Sequence, residues 1–330
     1  MKIGGVPRVA VLMATYNGER FVEQQINSLK YNETVFTLNW LDDHSVDNTR
    51  IAVRRAALRA NIAVSEWHRA QREGVPGAFF SLLECVDADI YLFCDQDDIW
   101  QPGKIDATVR HLLPNISTPA ICFSDPLMFR GETPDECYHV LSILGAKTDV
   151  ALRETQAFTS TVGYGHTQGF TRGLREMFLT HAQIAREYAF MHDMWMLEIA
   201  HATGRVSMLA NVPTTLFRRH RGNATGDIGG WVGSGQGRIV TSWRQLRRLR
   251  QVFARNARGF ILAAKTLPPG PKVDQLLETA RLVSTLDRRH SLRSMLRVAR
   301  HGILYPNLRM ATKLAISCLL STADPDERSH

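Results

Sequence analysis

The sequence lacks an apolar run of roughly 18 residues, the length that a membrane-spanning helix requires. No apolar stretch of signal-peptide length precedes the first predicted strand, so we expect a protein that is made and kept in the cytoplasm. Cysteine is scarce as well: there are 5, and none are in Cys-x-x-Cys spacing. This argues against a disulfide framework or a zinc site and is typical of reduced thiols. The glycine-rich patterns of the usual dinucleotide fold and of the P-loop are also absent.

Positive charge is sparse in the first part of the chain and concentrated in the last part. From Arg238 onward there are 18 Lys and Arg residues against 6 Asp and Glu, whereas the 330-residue chain as a whole carries +8. The preceding residues therefore carry 22 basic against 26 acidic side chains, a net −4. We predict a folded domain over residues 1–237 and a basic helical region over residues 238–330 that meets a different partner.

Continuous apolar runs alternate with helical segments through the first third of the chain. Such runs are typical of strands that are covered on both faces of a parallel sheet. The predicted strands are residues 9–14, 37–41, 61–67 and 89–94, and the predicted helices between them are residues 20–29, 50–58 and 74–83. This alternation predicts an α/β fold with a mostly parallel sheet and flanking helices.

Three of these strands end in polar or acidic turns, at residues 15–19, 42–43 and 95–98. In open α/β sheets, ligands bind outside the carboxyl ends of the strands. Because parallel strands present those ends at one edge, we expect the three turns to lie together. The sequence therefore predicts a binding site at this edge of the sheet.

The most acidic of the three turns contains Asp95, Asp97 and Asp98 within four positions. Like charges this close repel and raise one another's pKa unless a positive charge lies among them. A hard divalent cation such as Mg²⁺ or Mn²⁺ suits oxygen ligands of this kind. The alternative is a turn or a helix cap ahead of the helix predicted from Lys104, which needs only one carboxylate.

The remainder of the first 237 residues holds weaker signals. We predict strands at residues 120–125, 128–130 and 209–212, a surface loop at 131–137, a further loop at the edge of the site at 163–171, a helix at 172–189, and a glycine-rich mobile loop or hinge at 226–237. Asp193 opens a further apolar helix, as a capping residue or as a functional carboxylate. Its neighbour His192 has the same two alternatives, a structural hydrogen-bonding role or a catalytic one.

Arginine-rich helices are predicted at residues 242–264, 273–286 and 290–301. An ordinary explanation is that their apolar faces pack on the first domain. We favour an amphipathic, cationic surface that lies on anionic lipid. Nucleic acid is not expected as a partner, because the sequence offers no aromatic platform or recognised binding motif.

Several motifs, in order and spacing, resemble those of family 2 glycosyltransferases, which have the GT-A fold. They are Ala-Thr-Tyr-Asn-Gly-Glu at residues 14–19, Asp-Asp-His-Ser-Val-Asp-Asn-Thr at 42–49 and Phe-Cys-Asp-Gln-Asp-Asp-Ile-Trp at 93–100. Met-His-Asp-Met-Trp at 191–195 and Arg-His-Arg-Gly-Asn-Ala-Thr-Gly at 219–226 are similar to bacterial rhamnosyltransferase-like members. The resemblance covers residues 8–226.

The resemblance implies roles for individual side chains. It places Asp193 at the general-base position, and it implies a divalent metal, Mg²⁺ or Mn²⁺, held by Asp97, Asp95 and His220. The nucleotide-sugar contacts that it implies are Thr15, Tyr16, Glu19, Asp42, Asp43, Asp95, Arg219 and His220, with Arg218 in the segment that closes over the diphosphate.

An inverting, metal-dependent transfer is the activity that these roles imply. The expected donor is dTDP-L-rhamnose, and the expected acceptor is a lipid-linked cell-surface glycan at the inner face of the cytoplasmic membrane. A UDP-hexose transferase of the same fold and a catalytically degenerate GT-A binding or scaffold protein are the alternatives. His44 stands where the family has glycine, so it must adopt a backbone conformation that glycine tolerates more easily. Arg72-Glu73-Gly74 and Arg221 also depart from the family pattern.

Overall fold

The computed structural model describes residues 6–144, 158, 163–212, 214–220, 222–223 and 243–288. The strands are β1 (Val9–Thr15), β2 (Phe36–Asp42), β3 (Val64–Trp67), β4 (Ile90–Cys94), β5 (Ile99–Trp100), β6 (Ala120–Ser124), β7 (Leu127–Arg130), β8 (Tyr138–His139), β9 (Gly169–Thr171), β10 (Arg205–Leu209) and β11 (Thr215–Arg219). The helices are α1 (Val22–Leu29), α2 (Thr49–Ala60), α3 (Gly74–Cys85), α4 (Lys104–Leu112), α5 (Val140–Leu144), α6 (Arg172–Thr180), α7 (Ala182–Tyr188), α8 (His192–Thr203), α9 (Trp243–Ala263) and α10 (Pro271–Val283).

Seven strands form the main sheet, in the order β10-β6-β9-β4-β1-β2-β3. Each pairs in parallel with its neighbours except β9, which is antiparallel to both β4 and β6. Along β1, Thr15 lies opposite Asp42 of β2, and Met13 lies opposite Cys94 of β4. The carboxyl ends of these three strands therefore meet at one edge, which confirms the predicted α/β fold with a mostly parallel sheet.

A smaller sheet, in the order β5-β11-β7-β8, continues the chain from that edge. The short strand β5 follows Asp98 directly and pairs antiparallel with β11, so Leu216 lies opposite Ile99. This pairing brings the basic residues at the end of β11, Arg218 and Arg219, and His220 after them close to the acidic turn after β4.

The predicted loop at residues 163–171 contains a 3₁₀ turn, Gly165–Thr167, and strand β9. A Cβ atom at Gly169 would lie 2.2 Å from Cγ2 of Thr108 on α4, so only glycine allows this strand to pack beneath the helix. The prediction of a loop here is wrong because a strand of three residues, paired with distant parts of the chain, leaves no periodic pattern in the sequence.

Two other boundaries differ from the predictions. The predicted helix at 172–189 is divided into α6 and α7 at His181, whose Nε2 lies 2.9 Å from Oγ1 of Thr266. The last parallel strand, β10, ends at Leu209 instead of beginning there, and Asn211 then takes a φ of +56°. Asparagine tolerates this left-handed conformation, and the turn ends the strand.

Helices α9 and α10 bury their apolar faces in the same core cluster as β4, β6 and α8, through Leu249, Phe253, Phe260 and Leu276. The ordinary packing alternative therefore accounts for the apolar faces of these two helices. The predicted helix at 290–301 and the loop at 226–237 lie outside the described residues. Among the helices that the structure describes, none combines the length and apolarity that crossing a bilayer takes.

Phe253→Ala tests this docking. Removing a buried phenylalanine side chain (2% exposed) from α9 is expected to lower the free energy of unfolding by about 3–5 kcal/mol. The matched control on the same helix, Arg248→Ala, alters an exposed side chain and should stay within about 0.5 kcal/mol. Urea unfolding followed by circular dichroism measures both, and equal effects would contradict the docking of α9.

Candidate active site

A cleft of about 390 Å³ opens at the carboxyl edge of the main sheet. Its walls include Thr15 at the end of β1, Tyr16 directly after it, Asp43 after β2, and the turn after β4. The opposite wall comes from the 3₁₀ turn and from the start of α8. The structure thus brings together the three strand ends that the sequence predicted at one edge, together with Asp193.

Asp42 and Thr15 are linked to each other at the floor of this edge. Asp42 accepts hydrogen bonds from Thr15 Oγ1 (2.9 Å), from the backbone and hydroxyl of Ser45 (3.0 and 2.5 Å) and from Arg50 Nε (2.7 Å). Burial raises the pKa of Asp42, but the hydrogen bonds from Ser45 and Arg50 outweigh burial and hold it below its ordinary value. Asp42 is 2% exposed and is bound within the protein, whereas Thr15 lines the cleft. That Asp42 and Thr15 contact the nucleotide-sugar donor stays a prediction.

Tyr16, Asp43 and Arg72 form one end of the cleft. The two oxygens of Asp43 accept hydrogen bonds from the backbone of Glu73 and Gly74, at 2.7 Å each. The Arg72 guanidinium lies 3.6 Å from the centre of the Tyr16 ring. The result is a flat aromatic surface beside a carboxylate and a cation.

The turns around this end carry the strained backbone that the sequence predicted. His44 has a φ of +65°, which confirms that it takes a conformation favoured by glycine. Glu19, another predicted donor contact, accepts a hydrogen bond from the backbone of Asn48 at 2.6 Å and is not among the described cleft-lining residues.

In the acidic turn after β4, Asp97 and Asp98 are buried and Asp95 is half-buried, and the carboxylates repel one another. Burial, together with the charges of Asp97 and Asp193, raises the pKa of Asp95 to about 8. Burial raises the pKa of Asp98 well above its usual range, and the neighbouring carboxylates add to this effect. Groups in this state favour a bound cation, since a positive charge relieves both the burial and the repulsion.

Two sets of side chains could share a divalent cation at this turn. The predicted set is Asp95, Asp97 and His220, and His220 Nε2 lies 2.8 Å from Asp97 Oδ2. Among the described residues, the structure also groups Asp95 and Asp98 with His166, which sequence reasoning missed, and their ligand atoms lie within 4.8 Å of one another. One oxygen of Asp98 and both ring nitrogens of His166 have no hydrogen-bond partner among the described residues. The carboxylate oxygens of either set suit Mg²⁺ or Mn²⁺, and Asp95 belongs to both sets.

Arg218 is buried and holds the turn in place. Its backbone N–H donates to Asp98 Oδ1 (2.9 Å), its Nε donates to the carbonyl of Asp97 (2.8 Å), and its Nη2 donates to Gln24 Oε1 (2.5 Å). The resemblance implied that Arg218 lies in a segment over the diphosphate. In the structure, these hydrogen bonds to other parts of the protein use its donors instead. Arg219 lies with its guanidinium 5.7 Å from the ring of Phe217.

Asp193 lies in the first turn of α8, and Met191 occupies the capping position without a side-chain cap. The capping alternative for Asp193 is therefore wrong. Its Oδ2 accepts a hydrogen bond from the backbone of Gly165 at 2.9 Å, and its Oδ1 accepts one from the backbone of Met194 at 2.8 Å. Burial raises the pKa of Asp193, and these two hydrogen bonds oppose that effect. The result is a fixed, half-buried carboxylate that lines the cleft.

His192, the neighbour of Asp193 in the sequence, packs against two aromatic rings. Its ring lies 4.0 Å from the ring of Phe79 in a stacked arrangement and 4.5 Å from that of Phe93 edge-on. Burial lowers the pKa of His192 to about 3, so the ring is neutral. A Cβ atom at Gly165 would lie 2.6 Å from its Nε2, which explains why glycine follows Tyr164 here.

Sequence reasoning also gave no role to Gln96. Its side-chain amide bonds both backbone groups of Tyr16, with Oε1 accepting at 2.9 Å and Nε2 donating at 3.1 Å. This ties the acidic turn to the aromatic end of the cleft. The position of glutamine between Asp95 and Asp97 was the only signal for it in the sequence.

The chain matches the family model described as glycosyl transferase family 2 over residues 10–174. The dTDP-rhamnosyl transferase RfbG of Shigella flexneri is 27% identical over 226 residues, which are 65% of this chain and 73% of that protein. An Escherichia coli protein, UDP-Glc:alpha-D-GlcNAc-diphosphoundecaprenol beta-1,3-glucosyltransferase WfgD, is 30% identical over 109 residues, 32% of this chain and 42% of that one.

Solved structures show the same fold at low identity. S. aureus TarS 1-349 in complex with UDP-GlcNAc matches with a TM-score of 0.55 and 14% identity, covering 93% of this chain and 83% of that chain. The mannosyltransferase PcManGT of Pyrobaculum calidifontis, in complex with GDP-Man and Mn²⁺, matches with a TM-score of 0.54 and 17% identity, covering 96% and 86%. These likenesses confirm the GT-A fold.

Proposed function

The chain belongs to glycosyl transferase family 2, and from this premise we propose which transfer the enzyme catalyses. The reaction is inverting and metal-dependent, and it moves L-rhamnose from dTDP-L-rhamnose onto a hydroxyl of a lipid-linked polysaccharide intermediate. The enzyme acts as a peripheral protein on the inner face of the cytoplasmic membrane.

The observation that carries this proposal is the position of Asp193 in the same cleft as the acidic turn. The backbone of Gly165 holds one carboxylate oxygen, and the raised pKa makes Asp193 a stronger base than an ordinary aspartate. As the acceptor hydroxyl attacks the anomeric carbon, Asp193 takes its proton. The bond to the diphosphate breaks on the opposite side, so the anomeric configuration inverts.

The acidic turn is the proposed binding site of the cation that balances the negative charge of the leaving diphosphate. Asp95 and Asp97, with His220 or His166 beside them, would hold a divalent cation, which would supply positive charge to balance the charge that develops on the departing diphosphate. Arg218 keeps the turn in shape, and Gln96 fixes it to the Tyr16 end of the cleft. The mannosyltransferase PcManGT is described in complex with Mn²⁺, which supports a divalent metal here.

The donor is proposed from the similarity to RfbG, which is described as a dTDP-rhamnosyl transferase. The Tyr16 ring, the Arg72 guanidinium that stacks on it and the Asp43 carboxylate form the end of the cleft that binds the pyrimidine base in this proposal. The E. coli relative and TarS are described with UDP-sugars, so a UDP-hexose is the second candidate donor.

Nucleotide binding separates these donors. With Mn²⁺ present, dTDP at about 100 times its Kd is expected to stabilise the folded protein by about 2.7 kcal/mol, while UDP stabilises it less at the same concentration. Thermal unfolding with dTDP, UDP or GDP is the measurement. Stabilisation by GDP alone would contradict the proposed donor, and the absence of any shift would favour a degenerate binding or scaffold protein.

The acceptor and the membrane contact rest on two observations. The E. coli relative is named for transfer to alpha-D-GlcNAc-diphosphoundecaprenol, which is a lipid-linked glycan. The exposed side of α9 carries Arg247 and Arg248, and the whole region from residue 238 is basic. Since the apolar face of α9 is buried, contact with anionic lipid would be electrostatic and weakened by salt. Co-sedimentation with phosphatidylglycerol vesicles at low and high salt tests this contact.

A further inference from the structure

Helix α9 contacts the end of α7 and the short connection that leads from it to α8, through three residues on one side. Arg255 donates a hydrogen bond to the carbonyl of Glu187. The side chain of Asn256 accepts one from the backbone N–H of Phe190 at 3.2 Å. Gly259 lies against Tyr188, where an added Cβ atom would come within 2.4 Å of the tyrosine Cβ. The connection held in this way ends two residues before Asp193.

Asn256 makes a second contact farther along α8. Its Nδ2 donates to Oε1 of Glu198, and both side chains have no solvent exposure. The other oxygen of Glu198 has no partner among the described residues. Burial raises the pKa of Glu198 well above its usual range, so the acid is held in its neutral form. One amide therefore joins Phe190, two residues before the start of α8, to a residue in the middle of that helix.

Buried polar groups of this kind are costly unless they are paired. A hydrophobic contact could dock α9 on the domain without them, and the surrounding contacts of Phe253 and Phe260 are of that sort. Asn256 and Glu198 also fix the orientation of α9 on the domain. The amide of Asn256 bonds both Phe190 and Glu198, so the distances from α9 to these two residues are set together. The start of α8, and with it the carboxylate of Asp193, is placed relative to α9.

We propose that α9 is part of the catalytic unit and that Asn256 is a positioning residue for the general base. The inference rests on the proposed function, since it assigns Asp193 as that base. The matched family model ends at residue 174, so this support comes from a part of the chain that lies outside the family's matched region. The basic region after residue 238 then has a task in catalysis besides any contact with lipid.

Asn256→Leu keeps the side-chain size and removes both hydrogen bonds. It is expected to lower kcat about 10²-fold, with the KM for the donor within about twofold, because a small displacement of the base affects the chemical step and not nucleotide binding. The double variant Asn256→Asp with Glu198→Gln exchanges the amide and the acid, so both hydrogen bonds can form again. It is expected to recover kcat to within about threefold of the wild type.

Arg250→Met is the matched control on the same helix. Arg250 is buried and donates to the carbonyls of Leu286 (2.6 Å) and Arg288 (2.9 Å), which lie after α10 and away from the base. Its loss should destabilise the protein while kcat stays at the wild-type value. If Asn256→Leu does not accumulate as folded protein, Asn256→Ser gives the same comparison, because a serine hydroxyl is too short to reach both partners.

Hydrogen exchange provides a readout that does not depend on activity. In Asn256→Leu, the amides of residues 189–196 are expected to exchange about tenfold faster than in the wild type, and in Arg250→Met they are not. The inference is overturned if Asn256→Leu matches the wild type in exchange or in kcat, or if the exchanged pair fails to recover kcat. If the wild type turns over no nucleotide sugar, the proposed function fails and so does the catalytic part of this inference, while the exchange data decide the structural part.

Discussion

Asp193→Asn is expected to lower kcat about 10³-fold, because the amide keeps the shape of the side chain but cannot take the acceptor's proton. The KM for the donor should change little, since the base acts in the chemical step. The measurement is steady-state release of the nucleotide diphosphate in the presence of acceptor. A variant with wild-type turnover would contradict the assignment of the base.

Asp106→Asn is the matched control for this substitution. Like Asp193, Asp106 accepts hydrogen bonds from two backbone N–H groups, those of Glu33 and Thr34, but it lies on α4 away from the cleft. Its replacement should leave kcat unchanged. Loss of activity in both variants would point to a general effect on folding.

The dependence of kcat on pH in the wild type is also expected to report the protonation of Asp193. Asp193 works as a base only when it is deprotonated, so kcat falls as the pH falls through its pKa. Because burial raises that pKa above the ordinary value of 3.8, the acid limb should lie above this value. At saturating Mn²⁺, which keeps Asp95 ionised, that limb should disappear in Asp193→Asn.

Asp97→Asn is expected to lower kcat/KM about 10²–10³-fold. The amide binds a divalent cation less well than the carboxylate, so the negative charge of the diphosphate is balanced less well. Chelation of the wild type with EDTA should cause a similar loss that Mn²⁺ or Mg²⁺ reverses. In Asp97→Asn, EDTA should have little further effect, since both changes remove the same interaction.

Asp87→Asn is the control for the charge itself. Asp87 pairs with Arg8 at the surface, 2.9 Å from its guanidinium, at the amino end of the sheet. Its loss should change neither kcat/KM nor the response to EDTA. Full activity of the wild type in EDTA would contradict the metal requirement.

The part of the site formed by consecutive strands could be predicted from the sequence. Buried parallel strands leave continuous apolar runs in the sequence, and their carboxyl ends must lie at one edge of the sheet. The sequence therefore predicts that Tyr16, Asp43 and Asp95 lie close together, and all three line the cleft. The left-handed backbone at His44 followed in the same way, from a family position that normally holds glycine.

The parts that depend on distant pairing could not be predicted. Gly165 orients Asp193 and His166 joins Asp95, yet both lie in a short turn without periodicity. Arg218 has the charge of a ligand-binding residue, and only the structure shows that its donors are used inside the protein. The amphipathic pattern of α9 fitted lipid and protein surfaces equally well, because periodicity identifies an apolar face and not what covers it.

The most direct test of the central claim is the anomeric configuration of the product. Wild-type enzyme with Mn²⁺, dTDP-L-rhamnose and a polyprenyl-diphosphate-linked glycan should release dTDP and form a new glycosidic bond. Nuclear magnetic resonance of that bond should show the configuration opposite to that of the donor. A product that retains the donor's configuration, or release of nucleotide from UDP-hexoses but not from dTDP-L-rhamnose, would contradict the account.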